Sequence, residues 1–461
     1  MTETYTATQA LPVSAEEAFA WHERPGAFQR LVPGWQTMEV LDDAMPLVDG
    51  SVHHLRLRVG PIGMRWNARI EAVQRGRQFR DVQERGPFAE WVHTHRFVPE
   101  GEGCRLEDEV RYRLRLGVLG RLVGGRHMRR EVTRLFRFRQ ARTLTDLTRH
   151  AAYRGQGPLR IAISGASGFV GTALSAFLTS GGHTVLPLVR RAARHEGEIA
   201  WNPAAGEIDA ARLEGVDAVI HLAGAGIADK RWRDKRKAEI MASRVKGTDL
   251  LARTLAGLQR KPAVFVSMSA VGFYGAQGDE PLTEASLAGD GFLAEVAKAW
   301  EAATVPAAAA DIRVVQPRLG VVLGAGGGAL ARLLPPFRMG LGGPVGSGRQ
   351  VMSWVTLDDV VGALHHMLFT PSLFGPVNVT APHPVSQREF ARVLGTVLHR
   401  PALMPLPAAV VRLAFGQMGE EALLSGQRVL PQQLLGSGFV FRQPELGGAL
   451  RAELGLYAGP A

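Results

Sequence analysis

Hydrophobic and polar positions alternate with a period of two through much of the first 116 residues. TYTATQALPV (4–13), SVHHLRLRVG (51–60), MRWNARIEAV (64–73), WVHTHRFVPE (91–100) and CRLEDEVRYRLRL (104–116) all show it, and the pattern predicts strands with one buried and one solvated face. SAEE, Ser14 to Glu17, reads as a capping box that opens a short helix, with Glu17 reaching back to the Ser14 amide. From Arg121 to His150 the period lengthens: Met128, Val132, Leu135 and Phe136 recur at spacings of three and four, the stripe of an amphipathic helix. For residues 1–150 this order predicts a curved antiparallel sheet gripping one long helix, an arrangement that can enclose an apolar cavity.

Residues 151–158, which include YRGQGP, read as a linker. Beyond it, short apolar runs at 159–163, 184–189, 217–222, 262–267 and 312–316 alternate with helical stretches. That alternation predicts an α/β, doubly wound parallel sheet over 159–399, completed by a small C-terminal domain over 400–450. Ile161 to Val189 holds no Asp, Glu, Lys or Arg, yet its glycines and the TSGGH break read as strand, turn, helix, turn and strand, with no membrane span. LDD, Leu357 to Asp359, reads as a helix start with Asp358 or Asp359 as its cap.

Charge and composition narrow the function classes. The formal net charge is +11, but residues 1–150 hold 24 basic and 19 acidic side chains and the rest 30 and 24, so no basic tail is set apart. Without a basic stripe interleaved with aromatics, nucleic acid is not an expected partner. The single cysteine, Cys104, excludes an intramolecular disulfide and a thiolate metal cluster. The first residues lack a basic segment followed by an apolar core, which makes the cytoplasm the expected compartment.

The candidate chemistry centres on ISGASGFVGTAL, 163–174, an apolar run followed by glycines and a helical pattern. A dinucleotide pyrophosphate requires close backbone approach and free N–H groups at a helix start. Gly165 suits the tight turn, Gly168 removes a side chain facing the phosphate, and Gly171 allows the helix to pack on the sheet, with Ser167, Phe169 and Val170 completing the loop. The next strand ends in VRR, where an acidic residue would select NAD; Arg190 and Arg191 favour a 2′-phosphate, hence NADP. Pro187 removes one ladder donor from that strand. HTH at 93–95 and HH at 53–54 have no acidic or cysteine partner at ligand spacing, so no metal is expected.

The N-terminal order of elements resembles the START-like, or SRPBCC, superfamily, which implies a lipophilic ligand. From about 159 to 450, SGASGFVG, WNP, HLAGAGIADKRW, SRVKGTDLL, SMSAVGFYG, GDGFLAEVAKAWE, QPRLGVVLG and GPVNVTAPHPVSQREF together resemble the extended short-chain dehydrogenase/reductases, within them the atypical NAD-dependent epimerase-like family with a C-terminal domain of unknown function. The resemblance implies that Leu222, Ala223 and Gly224 line the cofactor, that Ser267, Pro317 and Arg318 approach it, and that Ser269 and Lys298 occupy catalytic positions. Two of the usual four positions depart from the pattern: Ala294 stands where Tyr-x-x-x-Lys places its tyrosine, and Arg244 where asparagine is usual. Tyr274 is the nearest substitute acid by motif, with Glu284 behind it. Three readings follow: an NADP-dependent oxidoreductase or epimerase of unknown small-molecule substrate, an NADP-binding redox sensor without turnover, and a lipid or polyketide-like carrier feeding a reductase site.

Overall fold

A computed structural model of the chain describes residues 2–42, 46–59, 62–115 and 117–457. Gly60 and Leu116, the last residues of two predicted strands, lie outside the described residues. The chain divides into two units, one built on Met1–Pro158 and the other on Leu159–Ser175 with His183–Glu453.

In the first unit, strands β1 (Glu3–Leu11), β2 (Thr37–Val40), β3 (Val52–Val59), β4 (Ile62–Gln74), β5 (Gln78–Arg85), β6 (Glu90–Glu100) and β7 (Gly103–Arg113) form one antiparallel sheet in the order β1-β7-β6-β5-β4-β3-β2. The alternation in the sequence misses β2, which is four residues long, and β5, whose cavity-facing positions Phe79 and Asp81 mix an aromatic ring with a carboxylate. Helix α1 (Ala15–Glu23) starts at Ser14, whose Oγ accepts a hydrogen bond from the Glu17 amide at 3.2 Å. The other half of the expected capping box is missing, because the Glu17 carboxylate pairs with Arg24 at 2.8 Å instead. A short α2 (Ala27–Arg30) follows, and the long helix is α3 (Gly117–Ala151). Its Val132 and Phe136 pack with Phe88, Trp91, Val110 and Tyr112.

The second unit carries a parallel sheet. Strands β8 (Arg160–Ser164), β9 (Thr184–Val189), β10 (Ile199–Asn202), β11 (Glu207–Ile208), β12 (Ala218–His221) and β13 (Val264–Ser267) run β11-β10-β9-β8-β12-β13, and strands Arg313–Leu319 and Gly375–Val379 continue beyond β13. All pair in parallel except β10 with β11, as a doubly wound sheet requires. The strand order reverses between β8 and β12, so a crevice opens at the ends of these two strands. Pro187 is tolerated because β10 pairs only with Leu188 and Val189, which frees one side of β9 at the proline. Among the described residues no helix is long and apolar enough to cross a membrane.

The C-terminal segment is tied to the helix Leu357–Phe369 by Asp359. The helix Leu357–Phe369 is capped by Thr356, whose Oγ1 accepts from the Asp359 amide at 3.1 Å, rather than by an aspartate. The buried Asp359 carboxylate is thereby available to accept from the Arg442 amide at 2.8 Å and the Gln443 amide at 3.1 Å. Replacing it removes a charge-assisted acceptor from two amides. Asp359→Ala is expected to lower unfolding free energy by about 3 kcal/mol, read from urea denaturation; a loss below about 0.5 kcal/mol would show that the carboxylate does not hold this segment.

Candidate functional site

β8 ends at Ser164, and the chain turns through Gly165 at φ +72° into α4 (Phe169–Ser180). A Cβ at position 165 would lie 2.9 Å from the Ala223 nitrogen and 3.0 Å from the Leu222 carbonyl carbon. The turn is thus pressed against the loop that follows β12, bringing Leu222, Ala223 and Gly224 alongside it. A Cβ at Gly171 would stand 2.1 Å from the Gly165 oxygen, so this glycine closes the turn from inside; its expected role of packing helix on sheet is not the tight constraint. Gly168 has only the Gly165 oxygen near, at 3.2 Å, and with Ser167 it is exposed. The Phe169 ring is buttressed by Gly324 and Gly327, where an added Cβ would approach to 2.5 Å. Amides of a first helical turn have no partner inside the helix, so the turn offers donors to an anion.

Behind the turn, His221 Nδ1 lies 2.5 Å from Ser164 Oγ. Burial, assisted by the charge of Arg244, pushes its pKa down to about 3, so the imidazole is neutral. At the tip of β9, Arg190 is exposed and has no partner among the described residues. Arg191 is held by a two-pronged pair with Glu198 at 2.7 and 2.5 Å. The Arg191 bonds, joined by the Arg194 amide, hold Glu198 down at about 2.

Arg244, on α5 (Asp234–Ala256), donates to the Ala225 oxygen at 3.0 Å and lies 4.9 Å from the centroid of the Trp300 ring. Burial lowers its pKa to about 10, still far above neutrality. On α6 (Phe292–Ala302), Ala294 is fully buried whereas Lys298 is exposed without a partner among the described residues.

The other expected catalytic groups are brought together, but with one another. Ser269 Oγ donates to Glu301 Oε1 at 2.6 Å, and Arg318 clasps the same carboxylate at 2.8 and 2.9 Å. Arg318 also donates to the Tyr274 hydroxyl at 2.9 Å and lies 3.4 Å from the centroid of the Phe273 ring. Tyr274 in turn donates to Asn378 Oδ1 at 2.7 Å, and the Asn378 amide donates to Glu284 at 3.0 Å. Ser269, Tyr274, Glu284 and Arg318 are all buried. Pro317 is buried within its strand, in register with Val377, and Arg318 beside it is buried as well. Ser267 Oγ is buried without a hydrogen-bond partner among the described residues, although a strand-end hydroxyl would be expected to bond its own backbone. Sequence reasoning missed Glu301 and Asn378; Glu301 stands three residues after Lys298 in KAWE, and only the fold turns it towards Ser269.

Burial raises the Tyr274 pKa above the ordinary phenol value against the opposing pull of Arg318, which favours the protonated phenol. Tyr274→Phe is expected to cost about 2 kcal/mol of stability, by unpairing buried groups, and to leave nucleotide affinity within about twofold. A much weaker nucleotide complex in a fully stable variant would place the hydroxyl at the ligand.

The first unit holds a cavity of about 660 Å³ lined by Trp35, Leu55, Trp66, Phe79, Trp91 and Leu135, with His22, Asp81, His95 and Arg139 as polar members. His22 Nδ1 donates to the Ala18 oxygen at 2.8 Å, and burial pushes its pKa down to about 4. Cross-strand register sets Asp81 opposite His93 and Asp108 opposite His95. The acidic partners that HTH lacks along the chain therefore come from the neighbouring strands.

Comparison with known proteins agrees with both units. Residues 161–379 match the NAD dependent epimerase/dehydratase family, 406–453 a domain of unknown function, and 11–136 the polyketide cyclase/dehydrase and lipid transport family. The chain is 44% identical over 290 residues to an epimerase family protein of Mycobacterium bovis, covering 96% of that protein and 63% of this one. A solved structure described as a nucleoside-diphosphate sugar epimerase from Corynebacterium glutamicum is 32% identical, with a TM-score of 0.80, over 98% of this chain and 90% of that one. Human epimerase family protein SDR39U1, solved with NADPH, is 37% identical with a TM-score of 0.58, over 64% of this chain and 98% of that one. The chain therefore belongs to the NAD-dependent epimerase family, carrying an N-terminal domain of the polyketide cyclase and lipid transport type.

Proposed function

We propose that the second unit binds NADP(H) against the 165–171 turn and acts as an oxidoreductase or epimerase on a small molecule. The observation that carries this reading is the turn itself: backbone pressed on backbone at Gly165 and Gly171, with Gly168 exposed in front of the α4 amides. The solved human relative holds NADPH, in keeping with the choice of NADP over NAD. Gly165 to Gly171 would receive the pyrophosphate, Leu222 to Gly224 the adenosine side, and Arg190 the 2′-phosphate. Arg191, already engaged by Glu198, serves mainly to fix the strand tip. When bound, the nicotinamide supplies hydride exchange with a carbon centre of the substrate.

The chain's own residues then have to move the proton. Ala294 cannot, and Ser269 and Tyr274 are bound into the Glu301–Arg318 network. Lys298, exposed on α6, is the group left to position a ribose hydroxyl and carry a proton to or from solvent. The same network favours a second reading, nucleotide binding without turnover, in which occupancy reports redox state. The first unit's cavity would hold a lipophilic ligand in either case and, as a carrier, would deliver it for reduction.

Arg190→Ala is expected to weaken NADPH about tenfold and leave NADH unchanged, measured by fluorescence titration; an equal effect on both would remove the 2′-phosphate reading. NADPH consumption across a broad carbonyl panel separates the first two readings. Turnover that falls at least tenfold in Lys298→Met supports the enzyme, whereas tight binding with no consumption supports the sensor.

A further inference from the structure

The polar floor of the first unit's cavity is built as a ligand set. His93 and His95, two apart on β6, project from the same face of the sheet, and β5 and β7 bring Asp81 and Asp108 to either side. Asp81 Oδ2 lies 3.1 Å from His93 Nδ1 and 3.5 Å from His95 Nε2, and the three residues offer ligand atoms all within 4.8 Å of one another. Ligand bonds of roughly 2.0–2.2 Å to a common ion separate neighbouring donor atoms by about 3.0–3.5 Å. The other ring nitrogens turn the opposite way: His93 Nε2 and His95 Nδ1 are each 3.0 Å from the same oxygen of Asp108.

We propose that Asp81, His93 and His95 bind one divalent first-row transition-metal ion at the floor of this cavity, with Asp108 orienting both imidazoles from behind. Two imidazoles and one carboxylate on one side of an ion, with a second carboxylate taking the far nitrogens, is the division of labour that metal-binding histidines use. Arg139 lies close enough to interact with both aspartates, so the cluster would carry one net negative charge only once a dication has displaced the proton that the two aspartates hold on His93. His95 Nδ1 is buried with Asp108 Oδ1 as its neighbour at 3.0 Å, so the one carboxylate oxygen faces both far ring nitrogens. Asp81 and His95 line the cavity, so the ion's open positions face an apolar space. The guest this favours is a lipophilic molecule ending in an oxygen donor. The site is independent of the nucleotide reading.

The test uses the untagged full-length chain, stripped with chelator and then titrated with Zn²⁺ and with Co²⁺. One equivalent of metal, with visible Co²⁺ absorption bands of a nitrogen and oxygen site, is the expected result. Asp81→Asn and His95→Gln should each lose at least about 100-fold in affinity, and Asp108→Asn about 10–100-fold with the Co²⁺ bands retained but shifted. Far-ultraviolet circular dichroism and thermal unfolding of each variant show that the chain is folded. No saturable uptake by the wild-type chain at 100-fold excess metal overturns the proposal, whatever the variants do. Equal uptake by the wild type, Asp81→Asn and His95→Gln overturns it as well, because the ion then sits elsewhere.

Discussion

The second unit depends on backbone meeting backbone at the ends of β8 and β12. With the Gly165 α-carbon so near the Ala223 amide, no side chain fits there, and none fits at Gly171 against the Gly165 carbonyl. This approach sets the α4 amides at the reversal point of the strand order, where an open α/β sheet gathers its ligands. Neutral His221 supports the turn from below without placing a competing charge near it.

Beyond this turn lie two positions that the sequence resemblance singles out. Where the family pattern has a tyrosine there is the buried methyl group of Ala294, and where it has asparagine there is Arg244, laid against Trp300. Ser269 and Tyr274, the expected catalytic groups, and Arg318, an expected cofactor contact, bond with Glu301, Asn378 and one another. A buried and fully engaged network of this kind rigidifies the core. The glycine turn and the Ser269–Glu301–Arg318–Tyr274 network are thus separate features of this chain: the first is built of backbone and the second of buried side chains.

Period-two alternation and glycine placement made much of the fold legible in the sequence, because both follow directly from backbone geometry. The alternation located β1, β3, β4, β6 and β7, and the glycine turn located the start of α4. It failed for β5 because Asp81 occupies a cavity-facing position that the pattern requires to be apolar. The apolar runs that located the parallel strands missed Ile199–Asn202, with only three apolar residues in a row, and Gly375–Val379, broken by Pro376 and Asn378. Side-chain partnerships were the least legible part. Asp81 and Asp108 lie 12 or more residues from the histidines they meet, and only strand register brings them together.

Calorimetric titration of nucleotide-free protein with NADPH and NADH tests the central claim most directly. One equivalent of NADPH bound more tightly than NADH is the predicted result. Absence of measurable heat with both coenzymes, in protein whose circular dichroism shows a folded chain, would contradict it.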